Sequence, residues 1–170
     1  VLFAISGGNV AAIDVEVRGE IASLDVSVLA TSALKGALIA MGAEDVTYVN
    51  APNLATERGL TSVVTTDADS PDHRNLVSVR AACADGTQVF VSGTLMGIRQ
   101  VEKIVAVDKL DLDLKPTNNL LFLRYQDVPG VVGVVGNSLG KLKINIADMQ
   151  VARTDAGGQA LMALTVDSAI

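Results

Sequence analysis

The sequence has no tryptophan, one cysteine and one histidine among 170 residues, and aromatic side chains make up only 3% of it. A single thiol, Cys83, excludes an internal disulfide, and with His73 as the sole imidazole a zinc site built from Cys and His cannot be assembled. So few rings provide neither a stacking platform for bases nor a sugar-binding cleft. Basic residues are scarce relative to acidic ones: 13 Lys and Arg against 19 Asp and Glu give a net charge of -6. The resulting pI near 4.6 is the opposite of the basic face by which nucleic-acid binders engage phosphates. Long apolar runs are missing too, although the mean hydropathy is +0.42. The longest stretches without Asp, Glu, Lys or Arg, at 1–13, 86–98 and 128–140, are 13 residues each. A membrane-spanning helix needs about 20. No basic segment precedes the first apolar residues, so a secretory signal is not expected either. These absences lead us to expect a soluble chain in a reducing cytoplasm, with neither membrane nor nucleic acid as a partner.

What is present is core material. Hydrophobic residues reach 49% and charged residues 19%, a composition that folds. Residues 1–8 start apolar without a methionine and end in Gly7-Gly8, which reads as the tail of a helix in a longer chain. From 9 to 24, Ile13, Val15 and Val17 alternate with Asp14, Glu16 and Arg18, the period of a half-buried strand. Asp25 is placed to cap a helix to about Met41, stopped by Gly42. A short strand is expected at 46–49, and Asn50-Ala51-Pro52 opens a helix ending at Gly59. Strands follow at 60–67, 76–84 and 87–94, the last two joined by the hairpin signal Asp85-Gly86. Another hairpin spans 98–114 around Asp108-Lys109, and Pro116-Thr117-Asn118 reads as a linker. Beyond it come a strand at 120–125, a helix at 127–140 and strands at 144–153 and 159–166. That β-α-β-β order is the first two-thirds of a ferredoxin-like β-α-β-β-α-β unit. Without its last helix and strand the sheet is expected to keep an uncovered apolar face and an unpaired edge.

Few residues are arranged for chemistry. His73 has no nucleophile partner except Ser70 in its loop, and reads as a solvated turn residue. Cys83 falls in a strand and reads as a buried, inert thiol. Gly130, Gly133 and Gly136 have the wrong spacing for a dinucleotide fingerprint. With Gly140 they fall near one helix face, which suggests a helix lying close on its sheet rather than a ligand contact. The informative segment is Leu123-Arg124-Tyr125-Gln126-Asp127-Val128-Pro129-Gly130. A strand ends there, an acid follows, and Pro129 is expected at the first helical position. Free amides at a helix N-terminus accept an anion such as a carboxylate, and Gly130 lets it approach the backbone. Asp127 would hold an ammonium, and Asn145 offers both a donor and an acceptor. An α-amino acid carries both charges a few ångströms apart. Equally, Asp127 would serve as a plain helix cap.

Asp-x-Pro-Gly between strand and helix, followed by Ile144-Asn145-Ile146, resembles an ACT domain, a small-molecule regulatory module of amino-acid metabolism. The earlier runs are more specific: Val17-Arg18-Gly19-Glu20, Ser32-Ala33-Leu34-Lys35-Gly36, Tyr48-Val49-Asn50-Ala51-Pro52, Glu57-Arg58-Gly59, Ser70-Pro71-Asp72-His73-Arg74 and Val91-Ser92-Gly93-Thr94. They resemble the allosteric substrate-binding domain of the long form of D-3-phosphoglycerate dehydrogenase. The resemblance implies an α+β chain in which residues 9–117 form a mixed α/β substrate-regulatory domain. Residues 118–170 would form an ACT domain lacking its last helix and strand.

The same resemblance implies the C-terminal regulatory part of an NAD-dependent oxidoreductase that opens L-serine biosynthesis, with no catalytic residue, metal or cofactor of its own in this stretch. It points to Tyr125, Asp127, Gly130 and Asn145 as contacts for L-serine as feedback inhibitor, bound where ACT domains of two subunits meet. It points to Lys103 and Lys115 as a site for the phosphorylated substrate or another anion. A third basic position of that site is Leu110 here, with Lys109 adjacent, and Lys115 replaces an arginine's fork by a point charge. The bare residues leave open ordinary solvation of Lys103 and Lys115 at a strand edge. Partners are then L-serine, an anion and further copies of the chain. Two other readings exist: the similar regulatory region of an iron–sulfur L-serine dehydratase, and a free-standing amino-acid sensor.

Overall fold

The computed structural model describes residues 10–169, so the helix tail read at residues 1–8 lies outside the described part. The chain is α+β, with two sheets and, among the described residues, three α-helices. It divides into two compact units, Val1–Leu95 and Met96–Ile170.

The first unit contains β1 (Val10–Gly19), a 3-10 turn (Glu20–Ser23), α1 (Ser27–Ala40), α2 (Ala51–Glu57), β2 (Thr61–Asp67), β3 (Asn75–Cys83) and β4 (Gln88–Met96). Strand β1 is central: it pairs parallel with β2 and antiparallel with β3, which pairs antiparallel with β4. A parallel pair requires a crossover, and α1 and α2 supply it. Both helices lie on one face. Ile13 of β1 and Ala81 and Cys83 of β3 are buried with Leu34, Ala37 and Leu38 of α1 and Ala51 and Ala55 of α2. The period-two pattern thus does what it predicts: Ile13, Val15 and Val17 are at most 1% exposed, while Asp14, Glu16 and Arg18 take the other face. The Asp25 carboxylate accepts the Ser27 N–H at 3.0 Å, which holds its pKa below the ordinary value, but Asp25 is not the cap expected of it: the N-cap of α1 is Val26, one residue later, with no side-chain cap bond. Cys83 is buried, as its strand position implied.

The strand expected at 46–49 does not form. Asn50 Oδ1 accepts the Thr47 N–H at 2.7 Å, Thr47 Oγ1 accepts the Asn50 N–H at 3.2 Å, and Asn50 Nδ2 donates to the Asp45 carbonyl at 3.0 Å. Short polar side chains here supply the partners a strand would need from a neighbour, and the backbone turns into α2 instead.

The second unit contains β5 (Val101–Val107), β6 (Leu110–Leu114), β7 (Leu120–Gln126), α3 (Val131–Lys141), β8 (Ile146–Arg153) and β9 (Gln159–Val166). Its three-stranded sheet has the order β7-β9-β8 with both pairings antiparallel. Strands β7 and β8 therefore flank β9 in the split β-α-β manner of the ferredoxin-like class. One face is covered by α3: Leu139 packs with Met162 and Leu164, and Val131 and Val135 join them. The reverse face is not left bare, contrary to expectation. Leu161 and Ala163 point that way and are 1% and 0% exposed. The β5–β6 hairpin reaches over this face, from Asp108 bonded to Arg124 on β7 to the Asp113 backbone bonded to Gln150 on β8.

Two expectations about α3 are corrected. Pro129 is not its first residue. Gly130 is the N-cap, in the left-handed region at φ 96°, and the helix begins at Val131. Nor do the glycines mark a close approach to the sheet. A Cβ built on Gly133, Gly136 or Gly140 would meet nothing within 4 Å, because Val131, Val135 and Leu139 are the residues turned inward.

Candidate functional site

Strand β7 ends at Gln126 and delivers Asp127 to one end of the C-terminal sheet. The turn between β8 and β9 fixes it there: the Asp127 N–H donates to the Gly158 carbonyl at 2.8 Å, and the Gln126 amide bonds the Gly157 carbonyl. Gly130 then turns the chain into α3, its carbonyl accepting the Val134 N–H at 3.0 Å. The amides of Val131, Val132 and Gly133, in the first turn, have no carbonyl within the helix to bond, and they carry the positive end of its dipole. Tyr125, half-buried against the α3 side of the core, completes the group. Tyr125, Asp127 and Gly130 are therefore brought together.

Asp127 is not the cap of the helix: the N-cap is Gly130, and no side-chain cap bond is made there among the described residues. Its carboxylate is instead held by Arg153, the last residue of β8, with Nη1 donating to Oδ2 at 2.8 Å. That bond is the main reason the Asp127 carboxyl sits below its ordinary pKa, partial desolvation opposing it. The same bond raises the already high pKa of Arg153, and the Tyr125 phenol adds a smaller contribution. Arg153 was not singled out by sequence reasoning. The one available signal was its place at the end of a strand whose partner strand, β9, begins opposite Gln126, next to Asp127.

Asn145 lies elsewhere. It precedes β8, and its amide donates to Asp167 beyond the end of β9 at 3.0 Å, while the Asp167 N–H returns a bond to the Asn145 carbonyl at 3.2 Å. From Asn145 to Arg153 the chain runs the length of β8, on the order of 25 Å at the usual strand rise. Within one chain Asn145 and Asp127 are at opposite ends of the sheet.

Lys103 and Lys115 share the open end of the β5–β6 hairpin. The pairing Ile104↔Leu114 leaves each lysine one step further out, on the face opposite those two buried residues. Lys103 is engaged, its Nζ 2.6 Å from Asp113 Oδ1 and 3.4 Å from the Asp113 carbonyl. Lys115 is exposed, and Lys109 belongs to the turn at the hairpin's other end. An anion between Lys103 and Lys115 would have to share Lys103 with Asp113.

The first unit offers a further concavity of about 320 Å³ on its helix-free face, lined by Asp14, Glu16, Val63, Thr65, Arg80 and Phe90 among others. Arg80 is forked onto one oxygen of Asp14 across the β1–β3 pair. The alternating carboxylates of β1 read as a solvent face from sequence. The structure gives them cations: Arg80 for Asp14, and Arg18 for Glu16 at 2.8 Å. Among the described residues, no three His, Cys, Asp or Glu side chains gather as a metal site, and no helix is long and apolar enough to cross a membrane.

A family model described as the D-3-phosphoglycerate dehydrogenase intervening domain matches residues 2–108. Over 164 residues the chain is 42% identical to the D-3-phosphoglycerate dehydrogenase of Mycobacterium leprae, which covers 96% of this chain and 31% of that protein. It is 34% identical to the enzyme of the same name from Synechocystis over 96% of the chain and 29% of the relative. With that of Methanocaldococcus jannaschii it shares 28% identity over 100% of the chain and 32% of the relative. The chain thus spans about a third of the length of the curated relatives it matches.

Proposed function

Because the chain belongs to the D-3-phosphoglycerate dehydrogenase family, we propose that it is the regulatory part of an NAD-dependent dehydrogenase acting on 3-phosphoglycerate. In this reading oxidation and the NAD site belong to sequence outside these 170 residues, and the ACT-like region from residue 118 senses L-serine. The observation that supports it is the grouping of Tyr125, Asp127 and the free first-turn amides of α3 at one sheet end. The amides suit the serine carboxylate, and Asp127 suits its ammonium. Asn145 at the opposite end suits a contact with a ligand held by a second copy, so the site is shared between two chains. Serine would then bias how subunits are placed, with coupling in the usual range of about 1–3 kcal/mol. The two-sheet α+β architecture agrees with this assignment, and the family match favours it over the iron–sulfur dehydratase.

Titration calorimetry with L-serine tests the reading. Binding should be seen for the parent chain and weakened at least tenfold in both Asp127→Ala and Asn145→Ala. Binding indifferent to both substitutions would refute it. The anion site in the preceding region is tested with 3-phosphoglycerate and with inorganic phosphate. Affinity should fall with added salt and in Lys103→Ala, and indifference to both would remove it.

A further inference from the structure

We propose that Arg153 is a built-in cation that occupies the effector's ammonium position until the effector displaces it, and so sets the selectivity of the site for amino acids over hydroxy acids. This rests on the reading that Asp127 receives the ligand's ammonium.

The geometry carries the step. Arg153 contacts Asp127 through Nη1 at 2.8 Å, and its side chain is 57% exposed against 20% for Asp127. The carboxylate is thus sheltered at the end of β7, while the guanidinium reaches it from the solvent side, off the edge strand β8. An incoming ammonium that bonds Oδ2 takes the acceptor that Arg153 now uses. The exchange keeps the charge count of the pocket unchanged, one cation replacing another on one carboxylate. The displaced guanidinium returns to water at little cost, because exposed ion pairs are weak.

A ligand without an ammonium meets a different site. With Arg153 in place Asp127 is already neutralised, so a carboxylate placed on the α3 amides feels little repulsion from it. Glycerate is serine with a hydroxyl in place of the ammonium, and it needs Arg153 to stay. Removing Arg153 should therefore move the two ligands in opposite directions. Serine gains an unoccupied partner, and glycerate faces a bare carboxylate. A purely structural role would move both the same way, since Arg153 would then act only by holding the end of β7 in shape.

The experiment compares L-serine and L-glycerate on the parent chain, Arg153→Gln and Arg153→Lys by calorimetry at two ionic strengths. For Arg153→Gln, serine should bind about two- to fivefold more tightly, the range expected for an exposed pair. Glycerate should bind more weakly in the same variant, and Arg153→Lys should behave like the parent. Serine affinity should fall with salt more steeply in Arg153→Gln, where a new ion pair forms, than in the parent, where one pair replaces another. Both ligands weakening together, or serine affinity unchanged, would overturn the displacement role. If serine binds the parent and Asp127→Ala equally, the fault lies in the Asp127 assignment itself, which separates the two failures.

Discussion

Gly19 offers the sharpest test of how the first unit is held together. It ends β1 with φ 90° and ψ -154°, a region side chains rarely adopt. A Cβ there would lie 2.1 Å from the Arg74 carbonyl oxygen, 3.0 Å from its carbon and 3.1 Å from Asn75 Cα. All three atoms are backbone, and that backbone is pinned: Asn75 pairs with Gly19 in the β1–β3 ladder, its Oδ1 accepts the Ile21 N–H at 2.9 Å, and Arg74 is bonded to Glu20. No flexible side-chain end can yield. The dihedral strain alone costs about 1–3 kcal/mol, and forcing the β3 backbone aside adds an overpacking cost of about 1–3 kcal/mol. Gly19→Ala should therefore destabilise by about 2–6 kcal/mol. For a unit of this size each kcal/mol lowers Tm by about 4–8 °C, so a fall of at least about 8 °C is expected. Gly36→Ala is the matched control. It sits inside α1 with nothing within 4 Å of its Cβ, so the same chemical change should stabilise by about 0.5–1 kcal/mol through helix propensity. Scanning calorimetry of both variants at equal protein concentration reads the difference in sign. A Gly19→Ala chain melting within about 3 °C of its parent would show that the β1–β3 corner yields, and the close-approach argument would fail.

Two further predictions follow from single groups. Glu20, Asp25, Asp85 and Asp127 all have carboxyl pKa values lowered, chiefly by hydrogen bonds from Arg74, Ser27, Thr87 and Arg153 respectively. A lowered folded pKa gives stability that is present above the unfolded value and lost as pH falls through the folded one, so urea midpoints should be level above about pH 5 and decline below about pH 4; a midpoint that rises on acidification would contradict the assignment. Ser62, opposite Ile13 in the β1–β2 pair, has a buried hydroxyl with no partner among the described residues. Ser62→Ala should raise stability by about 1 kcal/mol in the same urea titration, and a loss would mean that the hydroxyl is bonded after all.

How much was legible depended on whether the signal was local. The alternation through Ile13, Val15 and Val17 announced β1 because burial on one face imposes a period of two, and Asp85-Gly86 announced the β3–β4 turn because few other residues fit it. The strand at 46–49 was misread since Thr47 and Asn50 bond each other, a choice that apolar patterning does not register. Gly133, Gly136 and Gly140 were misread because a stripe of small residues looks alike whether it faces a sheet or open space; only the inward turn of Val135 and Leu139 distinguishes them. Tyr125, Asp127 and Gly130 were legible as a group, being consecutive around one strand–helix junction. Arg153 and Asp113 were not. Their partners Asp127 and Lys103 are 26 and 10 residues away, and only the register of β8 and of the β5–β6 hairpin brings them into contact.

The separation of Asn145 from Asp127 has a consequence for how an effector would act. Serine spans only a few ångströms, and the two side chains are on the order of 25 Å apart along β8. A ligand that touches both must lie between two chains. Under the two-fold axis that the proposed site implies, the Asp127 end of one sheet would meet the Asn145 end of its partner at two equivalent places. In the proposed shared site, ligand binding and association would be one equilibrium, and by mass action serine would drive the chain toward a dimer. Sedimentation across a range of chain concentrations then separates the two geometries. If the site is shared, saturating L-serine shifts the monomer–dimer balance, and Asn145→Ala abolishes the shift while leaving the fold intact, because among the described residues its side-chain amide bonds the exposed Asp167 at the strand end. If serine binds with no such shift, the α3 amides and Asp127 hold it unaided, and Asn145 belongs to the strand end alone.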